Sequence, residues 1–152
     1  GFGAIVLRKR TAAPDNPNWV RALRMPLRAL GASGVALEQM FAAQDFLTGL
    51  DDPRRLLDER LVVSPNVVLE QELQQAEGGW SLREAGVRLT TGMRFAAGLD
   101  RVTTTLVYGL DGTKSVREAL PEADETHSVE SLAEIGLSVA RQMFELGFLT
   151  RA

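Results

Sequence analysis

The sequence predicts an α+β fold in which a small antiparallel hairpin sheet packs with helices and is followed by a helical unit at the C-terminal end. Residues 67–90 alternate apolar and polar side chains about Glu77-Gly78-Gly79, the pattern of a half-exposed hairpin. Residues 128–146 repeat Val129, Leu132, Ile135, Val139, Met143 and Leu146 on one helical face. A chain of 152 residues with 45% apolar content is also long enough to bury a core. A boundary near residue 98 separates a mixed unit, 1–98, from a helical unit, 99–152, with one domain over 1–152 as the alternative.

Phe2 to Leu7 reads as an opening strand of the buried type, followed at once by Arg8-Lys9-Arg10. No hairpin or helix precedes it, so its neighbours are expected in a preceding part of a larger protein, or at a sheet edge or another copy of the chain. Pro14 and Pro17 make residues 11–18 a loop, and residues 19–30 are read as extended. Ser33 is the expected N-cap of a helix to about Leu47, with Leu37, Met40, Phe41, Gln44 and Leu47 as its stripe and Gly49 as its end. Asp52-Pro53 starts a short helix that turns Leu56 and Leu57 inward.

Leu61 to Val63 is a strand, Ser64-Pro65-Asn66 a turn, and Val67 to Ala76 and Trp80 to Thr90 the arms of the hairpin. Trp80 and Leu82 fall out of phase with Val87 and Leu89, so a bulge is expected near Ala85-Gly86. Asp100 caps a helix through Tyr108, which burial must hold because Thr103, Thr104 and Thr105 lower its intrinsic propensity. Leu110 to Thr113 reads as a turn, Ser115 as the cap of a short helix to Leu120, and 121–126 as a polar link. The long helix from Ser128 should close on a left-handed Gly147, with Phe148 packing back on Met143 before a final short strand. Helix, turn, short helix, link, long helix and strand is the order of a winged-helix-like unit over 99–152.

Composition excludes several chemistries. The chain has no Cys and one His, which removes disulfides, thiolate sites and cysteine nucleophiles and leaves little to hold a transition metal. No apolar run is long enough for a membrane span and no signal-peptide pattern is present, so a cytoplasmic protein without a membrane partner is expected. The net charge of −3 is uneven: Arg8, Lys9, Arg10, Arg21, Arg24 and Arg28 against Asp15 make residues 1–30 +5, and the remainder is −8. Those six cations are the candidate nucleic-acid or substrate contacts, because phosphate binding needs clustered Lys and Arg. A solvated basic segment is the plainer reading. The acidic C-terminal helix argues against a DNA-reading role for it.

No catalytic constellation emerges. Asn16-Pro17-Asn18-Trp19 departs from the Asn-Pro-Pro-Tyr type loop of amino-group methyltransferases in its third residue and its distance from the strand, and reads as a proline turn. Ser64-Pro65-Asn66 is a weaker match. Gly1-Phe2-Gly3 lacks the third glycine and the helix of a phosphate loop. His127 beside Ser128 and Asp124 has no nucleophile-base geometry on one helix start, and Asp51-Asp52 and Asp124-Glu125 suit capping. No catalytic, cofactor or metal residue is assigned.

Gly3-Ala-Ile-Val-Leu-Arg-Lys-Arg10 resembles the closing strand of a class I S-adenosylmethionine-dependent methyltransferase. The residues beyond it, through the Trp80 hairpin and Leu110-Asp111-Gly112-Thr113 to Gly147-Phe148-Leu149, are similar to the C-terminal extension of bacterial enzymes related to the glutamine or adenine N-methylating group. The resemblance implies a parent methyltransferase whose S-adenosylmethionine site lies before Gly1, an upstream catalytic domain as partner, and RNA, DNA or protein as substrate. The chain itself would then be noncatalytic, serving substrate recognition or stabilisation. A nucleic-acid-binding module using the basic segment and a self-associating or docking domain, dimeric through the opening strand, are the alternatives.

Overall fold

The computed structural model describes residues 5–9, 19–23 and 33–152. Its architecture is α+β: among the described residues, two three-stranded antiparallel sheets pack with three α-helices and one 3₁₀ helix. Helix α1 (Gly34–Thr48) begins at Ser33, although the Ser33 backbone is already helical and its hydroxyl makes no capping bond. The amide of Gly49 closes the helix on the Asp45 and Phe46 carbonyls. A 3₁₀ helix comes next over Pro53–Asp58, where Asp52 accepts a bond from the Arg54 amide at 2.8 Å and Leu56 and Leu57 are buried.

Strand β1 (Arg60–Val63) leads through the Ser64-Pro65-Asn66 turn to the long hairpin β2 (Val67–Ala76) and β3 (Gly79–Leu89). Gly78 and Gly79, at φ +94° and +139°, supply the turn conformations that side chains resist. The expected bulge exists but lies at Arg83 rather than at Ala85-Gly86: Glu72 faces Glu84, whereas Leu73 faces Leu82. Strand β4 (Ala96–Leu99), not anticipated, pairs with β3 to complete the first sheet in the order β2-β3-β4. Helix α2 (Arg101–Gly109) is capped by Asp100, which accepts from the Thr103 amide at 2.7 Å, and burial of Thr103 and Thr104 holds the low-propensity run.

Two expectations for the last third are corrected. Residues 111–115 are not only a turn: Asp111–Ser115 is strand β5, paired with β1. Residues 116–120 are hydrogen-bonded turns rather than a helix, with Ser115 and Glu118 bonding reciprocally. Helix α3 (Val129–Glu145) starts from Ser128, whose hydroxyl accepts from the Ser131 amide at 3.2 Å. It ends as read: Gly147 has φ +83°, the Phe148 amide bonds the Met143 carbonyl at 2.9 Å, and the Gly147 amide bonds that of Phe144. Strand β6 (Leu149–Arg151) then returns to β1, so the second sheet runs β5-β1-β6 with its central strand from the first half of the chain.

One hydrophobic cluster draws on both sides of residue 98, from Leu56, Leu61 and Val87 to Leu106, Val116 and Phe148. At its edge Phe46 of α1 meets Phe144 of α3 edge to face at 5.6 Å, with the Arg151 guanidinium 4.7 Å over the Phe46 ring. Ile5–Lys9 belongs to neither sheet; this is the described part of the expected opening strand, and residues 2–4 lie outside the described residues, as does the 11–18 loop. Residues 19–23 form neither helix nor strand. No helix among the described residues is long and apolar enough to cross a membrane.

Candidate functional site: a latch on helices α1 and α3

Of the six basic residues singled out in the sequence, Arg8, Lys9 and Arg21 are among the described residues, and Arg8 and Arg21 pair with carboxylates of α1 and α3. The Arg8 guanidinium pairs with the Asp45 carboxylate and lies 4.8 Å over the Phe41 ring. Arg21 pairs with Glu145 and reaches the Gln44 amide oxygen at 3.4 Å. Lys9 is exposed, and Arg10, Arg24 and Arg28 lie outside the described residues. Between the two arginines, Trp19 donates its indole N–H to Asp45 at 3.2 Å and tilts against Phe41 with centroids 5.2 Å apart.

The receiving surface arises from helical spacing. Phe41, Gln44 and Asp45 stand three and four residues apart, on one side of α1, while Ala43, Met40, Leu47 and Phe46 belong to or pack on the core. A helix that is apolar on one side and offers an aromatic, an amide and a carboxylate on another is suited to covering on both. Glu145 completes the site from the last turn of α3. Its side chain is only 8% exposed, and it sits at the negative end of the helix dipole, where a carboxylate is disfavoured. Two cations offset this: Arg141 at 3.2 Å, one turn back, and Arg21 from the N-terminal segment. Glu145 and Asp45 were not selected from the sequence, and Phe41 and Gln44, read there as part of the α1 stripe, face Trp19, Arg8 and Arg21 instead. The signal available was a Glu close to the apolar stripe of α3, an unusual place for a charge without a partner.

The other sequence candidates resolve as local structure. Asp124 accepts the amides of His127 at 2.8 Å and Thr126 at 2.9 Å, bonds that hold its carboxyl below the ordinary range, and His127 stands 3.4 Å from it. Ser128 is the α3 cap, so the three form a turn and helix start. Asp52 caps the 3₁₀ helix and Asp51 pairs with Arg55 at 3.7 Å. Asn16-Pro17-Asn18 and Gly1-Phe2-Gly3 fall outside the described residues.

A shallow trough of about 530 Å³ lies over the polar face of the first sheet, between Glu70, Glu72, Glu84 and Arg88. Glu70 is paired with Arg88 and Glu72 with Arg83, both at 2.5 Å. Gly86 and Gly98 in its floor face each other across β3 and β4, in mid-strand rather than in the strand-to-helix turn that holds a nucleotide-like cofactor. These residues do not fit S-adenosylmethionine, and no cofactor site is assigned among the described residues. Nor is any group of three or more His, Asp or Glu side chains among them placed to hold a metal ion.

No curated protein matches the chain. Residues 38–151 match the family model described as a domain of unknown function, DUF7782. That match begins in α1 and covers every strand among the described residues, both of the later helices and the Glu145 side of the latch, and the chain therefore belongs to the DUF7782 family.

Proposed function

We propose that this chain is a noncatalytic C-terminal domain of an S-adenosylmethionine-dependent methyltransferase, serving to stabilise the catalytic domain or to orient its substrate. The observation that carries the reading is the contrast between Ile5–Leu7 and the residues C-terminal to it. Ile5 and Leu7 are 90% and 88% exposed and belong to neither sheet, yet Arg8 and the Trp19–Arg21 stretch are fastened to α1 and α3. An apolar, β-branched segment left in solvent gains by joining a sheet elsewhere, since burying each such side chain contributes about 1.5–3 kcal/mol. A strand of an upstream sheet followed by a bolted connector accounts for both halves of the contrast, and agrees with the resemblance of residues 3–10 to a methyltransferase closing strand.

The nucleic-acid reading draws less support, because Asp45 and Glu145 already neutralise Arg8 and Arg21. The test is methyl transfer from labelled S-adenosylmethionine by the full product of the encoding gene, compared with the same product lacking residues 33–152. The reading expects transfer that the deletion weakens or abolishes. Absence of S-adenosylmethionine-dependent transfer to RNA, DNA and protein substrates alike would sink it.

A further inference from the structure

The outer half of the β2–β3 ribbon carries an exposed apolar face, and the bulge at Arg83 creates it. Without the extra residue, Trp80 and Leu82 would point to the side of Glu70, Glu72 and Glu84. With it, Leu73 stands opposite Leu82 and Gln75 opposite Trp80, on the same face as the buried Val87 and Leu89. Trp80, Leu73 and Leu82 are 72%, 52% and 45% exposed. Between Gln71 and the turn this face holds only apolar and amide side chains, whereas the ribbon's ion pairs, Glu70–Arg88 and Glu72–Arg83, lie on the other.

We propose that this face is a self-association surface, on which the ribbon of a second copy stacks about a two-fold axis. The charge distribution selects the occupant. Nucleic acid and anionic membranes call for a basic rim, and the ribbon carries Glu70, Glu72, Glu77 and Glu84 against Arg83 and Arg88. A strongly charged protein partner would find no countercharge on the face. Apolar groups with glutamines, each both donor and acceptor, are complementary to themselves, as a two-fold contact requires. Stacked at the usual separation of about 10 Å, the two ribbons keep their acidic faces outward and apart. The face is small beside the roughly 800 Å² per partner of a standard interface, so the pairing is weak and concentration-dependent. It is independent of the methyltransferase reading.

Sedimentation velocity on the full chain, from low micromolar to several hundred micromolar, should show a monomer–dimer equilibrium. Trp80 emission in a Trp19→Phe background should shift to the blue along the same isotherm. Leu82→Glu should leave the far-ultraviolet circular dichroism unchanged and abolish the dimer, and mixing it with Leu82→Lys should restore a heterodimer. A chain monomeric throughout, or a dimer that survives Leu82→Glu, overturns the proposal. So does a blue shift produced by anionic phosphatidylglycerol vesicles without self-association, which would assign the face to membrane contact instead.

Discussion

Arg21→Ala tests the latch through Glu145. The substitution leaves a carboxylate that is 8% exposed, at the negative end of α3, with Arg141 as its remaining cation. Removing one partner of a fully buried pair costs about 3–5 kcal/mol, and of an exposed pair about 0–1 kcal/mol. Arg21 is 29% exposed and Arg141 persists, so the expected loss lies between, at about 2 kcal/mol, or a fall in Tm of about 4–8 °C for a chain of this size. The assay is a double-mutant cycle with Glu145→Gln, followed by urea and thermal unfolding. Because the glutamine needs no countercharge, Arg21→Ala should cost much less in that background, giving a coupling of about 1 kcal/mol or more. Additivity within about 0.3 kcal/mol would show that Arg21 does not act through Glu145 and would refute the reasoning.

Other outcomes rest on the same geometry. Phe148→Ala, at a side chain 1% exposed behind the α3 C-cap, should cost about 3–5 kcal/mol by chemical denaturation. Gly147→Ala should cost about 1 kcal/mol through its φ of +83° alone, since the new methyl meets nothing within 4 Å; a neutral result would place the strain elsewhere. Asp111, Glu118 and Asp124 are each held below the ordinary carboxyl range, chiefly by hydrogen bonds from Thr113, Ser115 and His127 respectively. A lowered folded pKa means that the stabilisation is present above the unfolded value and lost as pH falls through the folded one. Thermal stability should therefore decline between roughly pH 5 and pH 2, and less steeply in Asp124→Asn; an identical acid limb in that variant would contradict its role.

Elements whose formation is local were legible in the sequence. Asp52, Asp100 and Ser128 cap the segments they were expected to start, and Gly147 with Phe148 closes α3 as read, because these bonds span only a few residues. Strand β4 was not legible: Ala96-Ala97-Gly98-Leu99 has no β-branched side chain, and its extended form comes from pairing with β3. Asp111-Gly112-Thr113 has true turn chemistry, with Thr113 bonding the Asp111 carboxylate, yet the free edge of β1 recruits it as a strand. The hairpin's phase change announced a bulge, but only cross-strand register fixes it at Arg83. The latch was least legible. Arg8–Asp45 and Arg21–Glu145 join residues far apart in sequence, and a basic segment read alone looks the same whether its charges face phosphates or its own carboxylates.

The most direct test of the proposed function is calorimetric titration of S-adenosylmethionine into the 152-residue chain and into the full product of the encoding gene. Stoichiometric binding by the full product, with no heat from the chain alone, is the predicted result. Binding by the chain alone, or by neither protein, would contradict a noncatalytic domain attached to a methyltransferase.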